Sequence, residues 1–210
     1  MAHWRNRGKP LVSVRIYVEG GGHQGSTKTD CRQAFRLFLQ KLVPQGSFRV
    51  VASGSRSEAF QDFCTALKVH RDDYVILLVD SEGSVMGAPW QHLKARVGDN
   101  WERPAGASDD QVHLMVESME NWLLADHPTI IAYYGQGFLA ASLPARVDVE
   151  QIPKRDALVA LEHASKPTTK GKYHKTRHGF DLLQRIDPAR VRAASNHARR
   201  FFDVLARETR

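Results

Sequence analysis

Apolar residues recur with a period of two, or run unbroken, in four short stretches of the chain. These stretches span residues 11–19, 48–52, 74–80 and 111–116. The first places Val12, Val14, Ile16 and Val18 on one side, a β-branched alternation that predicts a strand. Residues 74–80, YVILLVD, are apolar almost throughout, which is typical of a central parallel strand buried on both faces. The pattern therefore predicts four strands, with the third at the centre of the sheet.

Segments with helical spacing separate these strands. The first predicted helix is capped by Thr27 or Thr29 and runs to about 43, and the second starts at Ser55 or Ser57 and runs to about 67. Further helices are predicted over about 90–97, 119–125, 128–134 and 156–163. The last is a single helix over 187–205, capped by Asp187. Strands that alternate with helices favour an α/β fold with right-handed crossovers. We therefore expect a Rossmann-like, mainly parallel sheet of order 2-1-3 with helices on both faces. Residues 1–135 form the expected α/β core, and residues 136–210 form a helical, basic C-terminal extension packed on it.

Composition narrows the class of protein. The chain has 42% hydrophobic and 25% charged residues, as ordinary soluble globular proteins do. Its apolar runs are too short to cross a bilayer, and the first ten residues lack the features of a secretory signal, so we expect a cytoplasmic protein without a membrane partner. The net charge of +7 and a pI near 9.6 favour a polyanionic partner. Cys31 and Cys64 form no metal or disulfide motif, and we interpret both as small buried residues.

Acidic residues stand at the ends of two predicted neighbouring strands. Glu19 follows the first strand, and Asp80 and Glu82 follow the third. The carboxyl ends of such strands meet at the crevice where ligands bind in a doubly wound sheet. If the backbone stays extended through Ser81, Asp80 and Glu82 point to the same side. The sequence therefore predicts three converging carboxylates, beside glycines whose backbone can approach a phosphate or a metal-bound water. These glycines are Gly20, Gly21 and Gly22.

Such a cluster is costly unless a cation lies between the acids, because like charges raise one another's pKa. Mg²⁺ or Mn²⁺ would resolve the conflict, since hard cations prefer oxygen ligands. A metal held in this way serves phosphoryl transfer, with Glu19 as general base or ligand. Glu117 and Glu120 lie three residues apart on one helical face. Glu120 is a further candidate ligand, although a solvated helix face explains that pair equally well.

A basic, turn-rich stretch near the C-terminus is the candidate for contact with nucleic acid. Cations interleaved with an aromatic ring are typical of phosphate-binding surfaces, and a solvated basic loop is the alternative. The candidate residues are Lys170, Lys172, Tyr173, His174, Lys175 and Arg177.

A strand ending in Glu19-Gly20, followed downstream by a hydrophobic strand ending in Asp80-Ser81-Glu82, resembles the TOPRIM fold of topoisomerases, primases and related nucleases. Residues 119–126, MENWLLAD, and residues 170–175, KGKYHK, resemble a bacterial domain-of-unknown-function family within TOPRIM. Members are often encoded beside SMC-like or AAA ATPases, in settings suggestive of phage defence. The resemblance implies a metal-dependent nuclease core in which Glu19 is base or ligand and Asp80 and Glu82 bind the metal. Glu82 stands where the superfamily has Asp.

Two other functions compete with a nuclease. Residues 20–25, GGGHQG, satisfy the dinucleotide-binding pattern GxGxxG, and Ser55 with Arg56 could receive a 2′-phosphate. Against an NADP-binding oxidoreductase, Glu19 would face the pyrophosphate unfavourably. The second competitor is a noncatalytic subunit that uses the same fold to dock an ATPase or a nucleic acid.

Overall fold

The computed structural model of this protein describes residues 13–22 and 25–210. Within these residues, strands and helices alternate in the first half and helices alone follow. The elements are β1 (Val14–Gly21), α1 (Gly25–Leu42), β2 (Phe48–Gly54), α2 (Arg56–Val69), β3 (Tyr74–Asp80), α3 (Pro89–Ala95), β4 (Val112–Met115), α4 (Met119–Leu124), α5 (His127–Tyr134), α6 (Lys154–Ser165), α7 (Phe180–Leu183), α8 (Pro188–Ala194) and α9 (Asn196–Glu208).

The four strands form one all-parallel sheet in the order β2-β1-β3-β4. Val14 of β1 lies opposite Phe48 of β2 and Tyr74 of β3, so all three strands start at one edge and end at the other. This confirms the predicted α/β fold and the 2-1-3 neighbour relation. The predicted start of β1 at Leu11 and Val12 lies outside the described residues.

Helices cover both faces of the sheet because successive side chains of the central strands point to opposite sides. On one face, Ile76 and Leu78 of β3 pack in a cluster with Phe38 of α1 and Trp122 of α4. On the other face, Leu77 packs in a second cluster with α2 and α3. The β3 residues between Val75 and Asp80 are at most 1% exposed, which agrees with the predicted central strand buried on both sides.

The residues after 135 add helices to the first of these two faces. Their buried side chains join the same hydrophobic cluster as β1 and α1. The members from this part of the chain include Leu161 of α6, Leu183 of α7, Val191 of α8 and Phe201 and Phe202 of α9. No helix among the described residues is both long and apolar enough to cross a membrane.

Local signals placed some helix ends correctly and missed others. Ser55, one of the two predicted starts, caps α2, and Glu58 completes a capping box that was not predicted. The predicted cap at Thr27 or Thr29 was wrong, because α1 begins at Gly25 and contains both residues.

The predicted single C-terminal helix was also wrong. Residues 188–208 form two helices, α8 and α9, which are separated at Ser195. The Ser195 hydroxyl accepts the backbone N–H of Ala198 and caps α9. A π-helical turn at Lys175–Gly179 and the short helix α7 were not predicted.

Candidate functional site

Glu19 lies at the carboxyl edge of the sheet, two residues before β1 ends. The register between β1 and β2 shifts between Val18 and Glu19, and bulges of this kind re-aim a side chain. Glu19 Oε1 accepts the backbone N–H of Asp80 at 3.2 Å, and Oε2 accepts Arg56 Nη1 at 3.0 Å. The carboxylate is thereby fixed between the ends of β1 and β3.

Asp80 is the buried centre of the site, with a side chain 1% exposed. Its Oδ1 accepts the backbone N–H of Met119 at 2.9 Å, which ties β3 to the start of α4. Its Oδ2 lies 3.1 Å from Lys175 Nζ and 3.4 Å from Lys154 Nζ. Asp80 therefore has one rigid backbone donor and two flexible cations.

Glu82 reaches the same place by a different backbone path from the expected one. The extended continuation through Ser81 was wrong, because Glu82 has a positive φ of 64°. Its side chain is 26% exposed and lies 2.6 Å from Lys154 Nζ. One carboxylate oxygen from each of Glu19, Asp80 and Glu82 nevertheless lies within 4.8 Å of the other two. The structure thus brings the three predicted acids together.

Glu120 lies beside this trio rather than within it. It is 3% exposed, and its Oε1 accepts the hydroxyl of Tyr173 at 3.0 Å. Its Oε2 is buried, accepts no hydrogen bond among the described residues, and lies 3.8 Å from Lys175 Nζ. Lys175 therefore stands between Asp80 and Glu120. The neighbouring Glu117 holds the start of α6, because its Oε2 accepts the backbone N–H of Lys154 at 2.7 Å.

Among the described residues, three cations face the acids, and sequence reasoning assigned none of them to this site. The sequence suggests Arg56 only as a phosphate ligand in the dinucleotide alternative, although its position just after β2 places it at the same sheet edge. It donates to Asp99 through Nε and Nη2, at 2.8 and 2.7 Å, as well as to Glu19. Lys154 had no sequence signal, since it comes from the start of α6. Lys175 had been placed on the nucleic-acid surface.

Burial and the neighbouring charges shift the pKa of Glu19 upward and the pKa of Asp80 downward. Burial, and then the charge of Asp80, raises the pKa of Glu19 to about 8, although Arg56 and Lys175 oppose the shift. Burial also acts to raise the pKa of Asp80, but Lys175 and Lys154 outweigh it and hold that pKa below its usual value. Asp80 is thus the ionised member of the pair at neutral pH, and Glu19 can exchange a proton there.

The predicted nucleic-acid stretch divides into an exposed part and a buried part. Lys170, His174 and Arg177 are exposed, with Lys170 Nζ 5.0 Å from the centre of the Tyr133 ring. Lys172 is exposed and pairs with Glu162 at 2.8 Å. Tyr173, in contrast, is 3% exposed, because its ring packs in the core and its hydroxyl binds Glu120. Its expected place on a contact surface is therefore not what the structure shows.

The predicted glycine segment borders the site at Gly20. A Cβ added there would lie 3.0 Å from Cys31 Sγ, and φ is +132°, so close packing and backbone conformation both favour glycine. Gly21 ends β1, and Gly22 is exposed with a φ of +53°. His23 and Gln24, within the GxGxxG pattern, lie outside the described residues.

The donor set fits a small divalent cation. Three carboxylates each offer one oxygen atom, and these atoms lie within 4.8 Å of one another, so small side-chain movements would bring them to the separations found around one cation. They open into a cleft of about 210 Å³, which is also lined by Arg56, Lys175 and apolar side chains such as Phe35, Met115 and Phe180. Glu19, Asp80 and Glu82 could hold Mg²⁺ or Mn²⁺ there, and Glu120 lies on the other side of Lys175.

Comparisons with known proteins give a family and no activity. A family model described as "Domain of unknown function (DUF4276)" matches residues 18–206, which include all the acids and cations described above. A search of curated proteins found no match, and a search of solved structures found none either.

Proposed function

The chain belongs to the DUF4276 family, and we propose that it is a metal-dependent nuclease that hydrolyses a phosphodiester at the Glu19, Asp80 and Glu82 cluster. The observation that carries the proposal is the convergence of these carboxylates, from strands far apart in sequence, to within 4.8 Å at one sheet edge. Acids at such a distance are stable together only when positive charge lies among them or one of them holds a proton, and a divalent cation meets the first condition. The resemblance to TOPRIM nucleases supports the same assignment.

Each residue then has a chemical role. A bound Mg²⁺ or Mn²⁺ would polarise the phosphate and neutralise charge on the leaving oxygen. Glu19 accepts the proton of the attacking water as general base. The water oxygen bonds to phosphorus while the bond to the leaving oxygen breaks. Arg56 holds Glu19 in place through its contact at 3.0 Å.

A nucleic acid is the proposed substrate because the basic segment 170–177 contributes a cation to the site itself. Lys175 lies in the cleft, and the exposed Lys170, His174 and Arg177 belong to the same segment. Phosphate groups flanking the scissile bond would contact these side chains. From the TOPRIM resemblance alone we also propose an SMC-like or AAA ATPase as partner, in a phage-defence setting. Co-purification with such an ATPase tests this.

The test of the site is cleavage of DNA and RNA in Mn²⁺ by Glu19→Gln and Asp80→Asn. We expect Glu19→Gln to lower the cleavage rate roughly 10²–10⁴-fold, the usual contribution of a general base. Glu102→Gln is the matched control, because Glu102 pairs with Lys94 on the surface and its side chain is 74% exposed. Circular dichroism checks that each variant is folded. Wild-type rates in both site variants would reject the assignment.

A noncatalytic binding subunit is the second candidate, and one observation favours it. Arg56, Lys154 and Lys175 already neutralise the acids, so the site is electrostatically satisfied by the chain itself. This candidate predicts tight binding of a nucleic acid or an ATPase together with no heat of Mn²⁺ binding in calorimetry. An NADP-binding oxidoreductase is disfavoured, because Arg56 is bound to Glu19 and Asp99 rather than facing a 2′-phosphate.

A further inference from the structure

Every carboxylate that would bind the metal already has a cation of the protein beside it. Lys175 and Lys154 contact the same oxygen of Asp80, at 3.1 and 3.4 Å. Lys154 also contacts Glu82 at 2.6 Å, and Arg56 contacts Glu19 at 3.0 Å. A divalent cation would thus compete with ammonium groups for its ligand atoms.

The three cations differ in their freedom to leave. The side chain of Arg56 is 15% exposed and donates two hydrogen bonds to Asp99. Its guanidinium also lies 5.0 Å from the centre of the Trp101 ring. The side chains of Lys154 and Lys175 are 34% and 42% exposed, and lysine has a flexible stem with rotatable donors. The lysines are therefore the exchangeable cations.

Electrostatic repulsion by a bound dication would determine where the ammonium groups of Lys154 and Lys175 move. A dication placed beside both ammonium groups would suffer repulsion at short range in a partly buried site. The lysines would have to leave Asp80, and a phosphodiester arriving with the metal offers them an anionic partner in the same cleft. The buried Oε2 of Glu120, which accepts no hydrogen bond among the described residues and lies 3.8 Å from Lys175 Nζ, gives that lysine a second acceptor when it leaves Asp80.

We infer that Lys154 and Lys175 couple binding of the divalent cation to binding of the nucleic-acid phosphate, so that neither ligand binds strongly without the other. This inference rests on the proposed function, since it concerns the same metal and the same substrate class. The coupling is reciprocal: the factor by which DNA strengthens the affinity for metal equals the factor by which metal strengthens the affinity for DNA. The two lysines are positioning residues in this scheme, because they act by yielding ligand atoms.

Calorimetric titration with Mn²⁺ tests the coupling. Each protein is titrated alone and with a single-stranded ten-nucleotide DNA whose phosphorothioate linkages resist cleavage. We expect the DNA to raise the Mn²⁺ affinity of the wild type by roughly 5–150-fold, the usual range of coupling between sites. We expect Lys175→Met to bind Mn²⁺ more tightly than the wild type without DNA, and to gain less from DNA.

The matched control is Lys94→Met, because Lys94 lies outside the candidate nucleic-acid stretch and pairs with Glu102 on the surface. It carries the same change of charge and should behave as the wild type does. Lys154→Met provides a second test that does not depend on the folding of Lys175→Met, with the same direction expected.

The outcomes separate this inference from the proposed function. If the wild type binds Mn²⁺ with an affinity that DNA does not change, and Lys154→Met and Lys175→Met bind Mn²⁺ as the wild type does, the coupling is overturned. The proposed metal site would still stand. No Mn²⁺ binding in any arm, with or without DNA, overturns the metal-dependent function and the coupling with it. If DNA raises the Mn²⁺ affinity of the wild type, and raises that of Lys175→Met or Lys154→Met less, the coupling and the metal-dependent function are both supported.

Discussion

Asp80 and Asp126 are both buried acids, but their partners differ in kind. Asp126 accepts the backbone N–H of Thr129 at 3.3 Å and that of Asp187 at 2.9 Å. The Thr129 hydroxyl, at 2.7 Å, and Arg190, at 3.4 Å, complete its surroundings. Asp80 has a single backbone donor, and two lysine side chains take its other oxygen.

The difference separates a structural acid from one that can exchange partners. Backbone donors at the starts of α5 and α8 can leave Asp126 only if the helices move, so that carboxylate is part of the architecture. Lysine ammonium groups can leave Asp80 by rotation of their stems, which frees a carboxylate oxygen without unfolding anything. The proposed metal site depends on this property of Asp80, and the following substitutions test it, beginning with the largest expected effect on stability.

Asp126→Ala should lower the free energy of unfolding by about 3 kcal/mol. The substitution removes the cap of α5 and leaves partly buried donors at α5 and α8 without their acceptor, each a cost of about 1 kcal/mol or more. Urea denaturation followed by circular dichroism measures the loss. Asp203→Ala, which breaks an exposed pair with Arg192, should change stability by about 0.5 kcal/mol or less. A cost below about 1 kcal/mol for Asp126→Ala would mean that water replaces the carboxylate and that Asp126 is not structural.

His113 is a buried side chain with fixed partners, as Asp126 is, and it extends the comparison to the pH dependence of stability. Its ring is buried under α9, with Nε2 2.9 Å from the Asp110 carbonyl oxygen and Nδ1 3.3 Å from Arg200 Nη1. Burial, and then the charge of Arg200, lowers the pKa of His113 from 6.5 to about 3. Between these two values the unfolded chain binds a proton that the folded chain does not. Stability should therefore fall as the pH falls from 6.5 towards 3, by about 1.4 kcal/mol per pH unit from this residue.

Urea denaturation at pH 6.5 and pH 5 measures this slope, over which His113 should contribute about 2 kcal/mol. In His113→Gln, whose amide can still donate to the Asp110 carbonyl, the fall in stability should be smaller by that amount. His163→Gln, at an exposed position, should keep the wild-type slope. Equal slopes in the wild type and His113→Gln would show that the imidazole is protonated without a loss of packing.

The acids were predictable from the sequence because strand geometry fixes them. An apolar run such as residues 74–80 identifies a central strand, and parallel order places the ends of β1 and β3 at one edge. Glu19 and Asp80 follow from those two facts alone. The path of Glu82 did not, since nothing in the letters Ser81-Glu82-Gly83 marks a positive φ at Glu82.

The cations were not predictable, because tertiary packing alone brings them to the site. Lys154 and Lys175 lie 74 and 95 residues from Asp80 in the chain, on segments with no periodic signal directed at the sheet edge. Tyr173 illustrates the same limit: an aromatic residue among lysines is typical of a nucleic-acid surface, yet here the ring is buried and binds Glu120. Ser195 was a local signal that was overlooked, since a serine within an apolar helical stripe can cap a new helix.

Asp80→Asn should cost much less stability than Asp126→Ala, about 1 kcal/mol or less, although Asp80 is as buried as Asp126. The asparagine oxygen can still accept the Met119 N–H. Removing one partner of a buried ion pair is costly when the other charge stays buried, but Lys154 and Lys175 are partly exposed and can turn to water. Urea denaturation beside Asp126→Ala measures the contrast. A loss as large as that of Asp126→Ala would show that the lysines are fixed in the interior, and a cation could then reach Asp80 only by unfolding its surroundings.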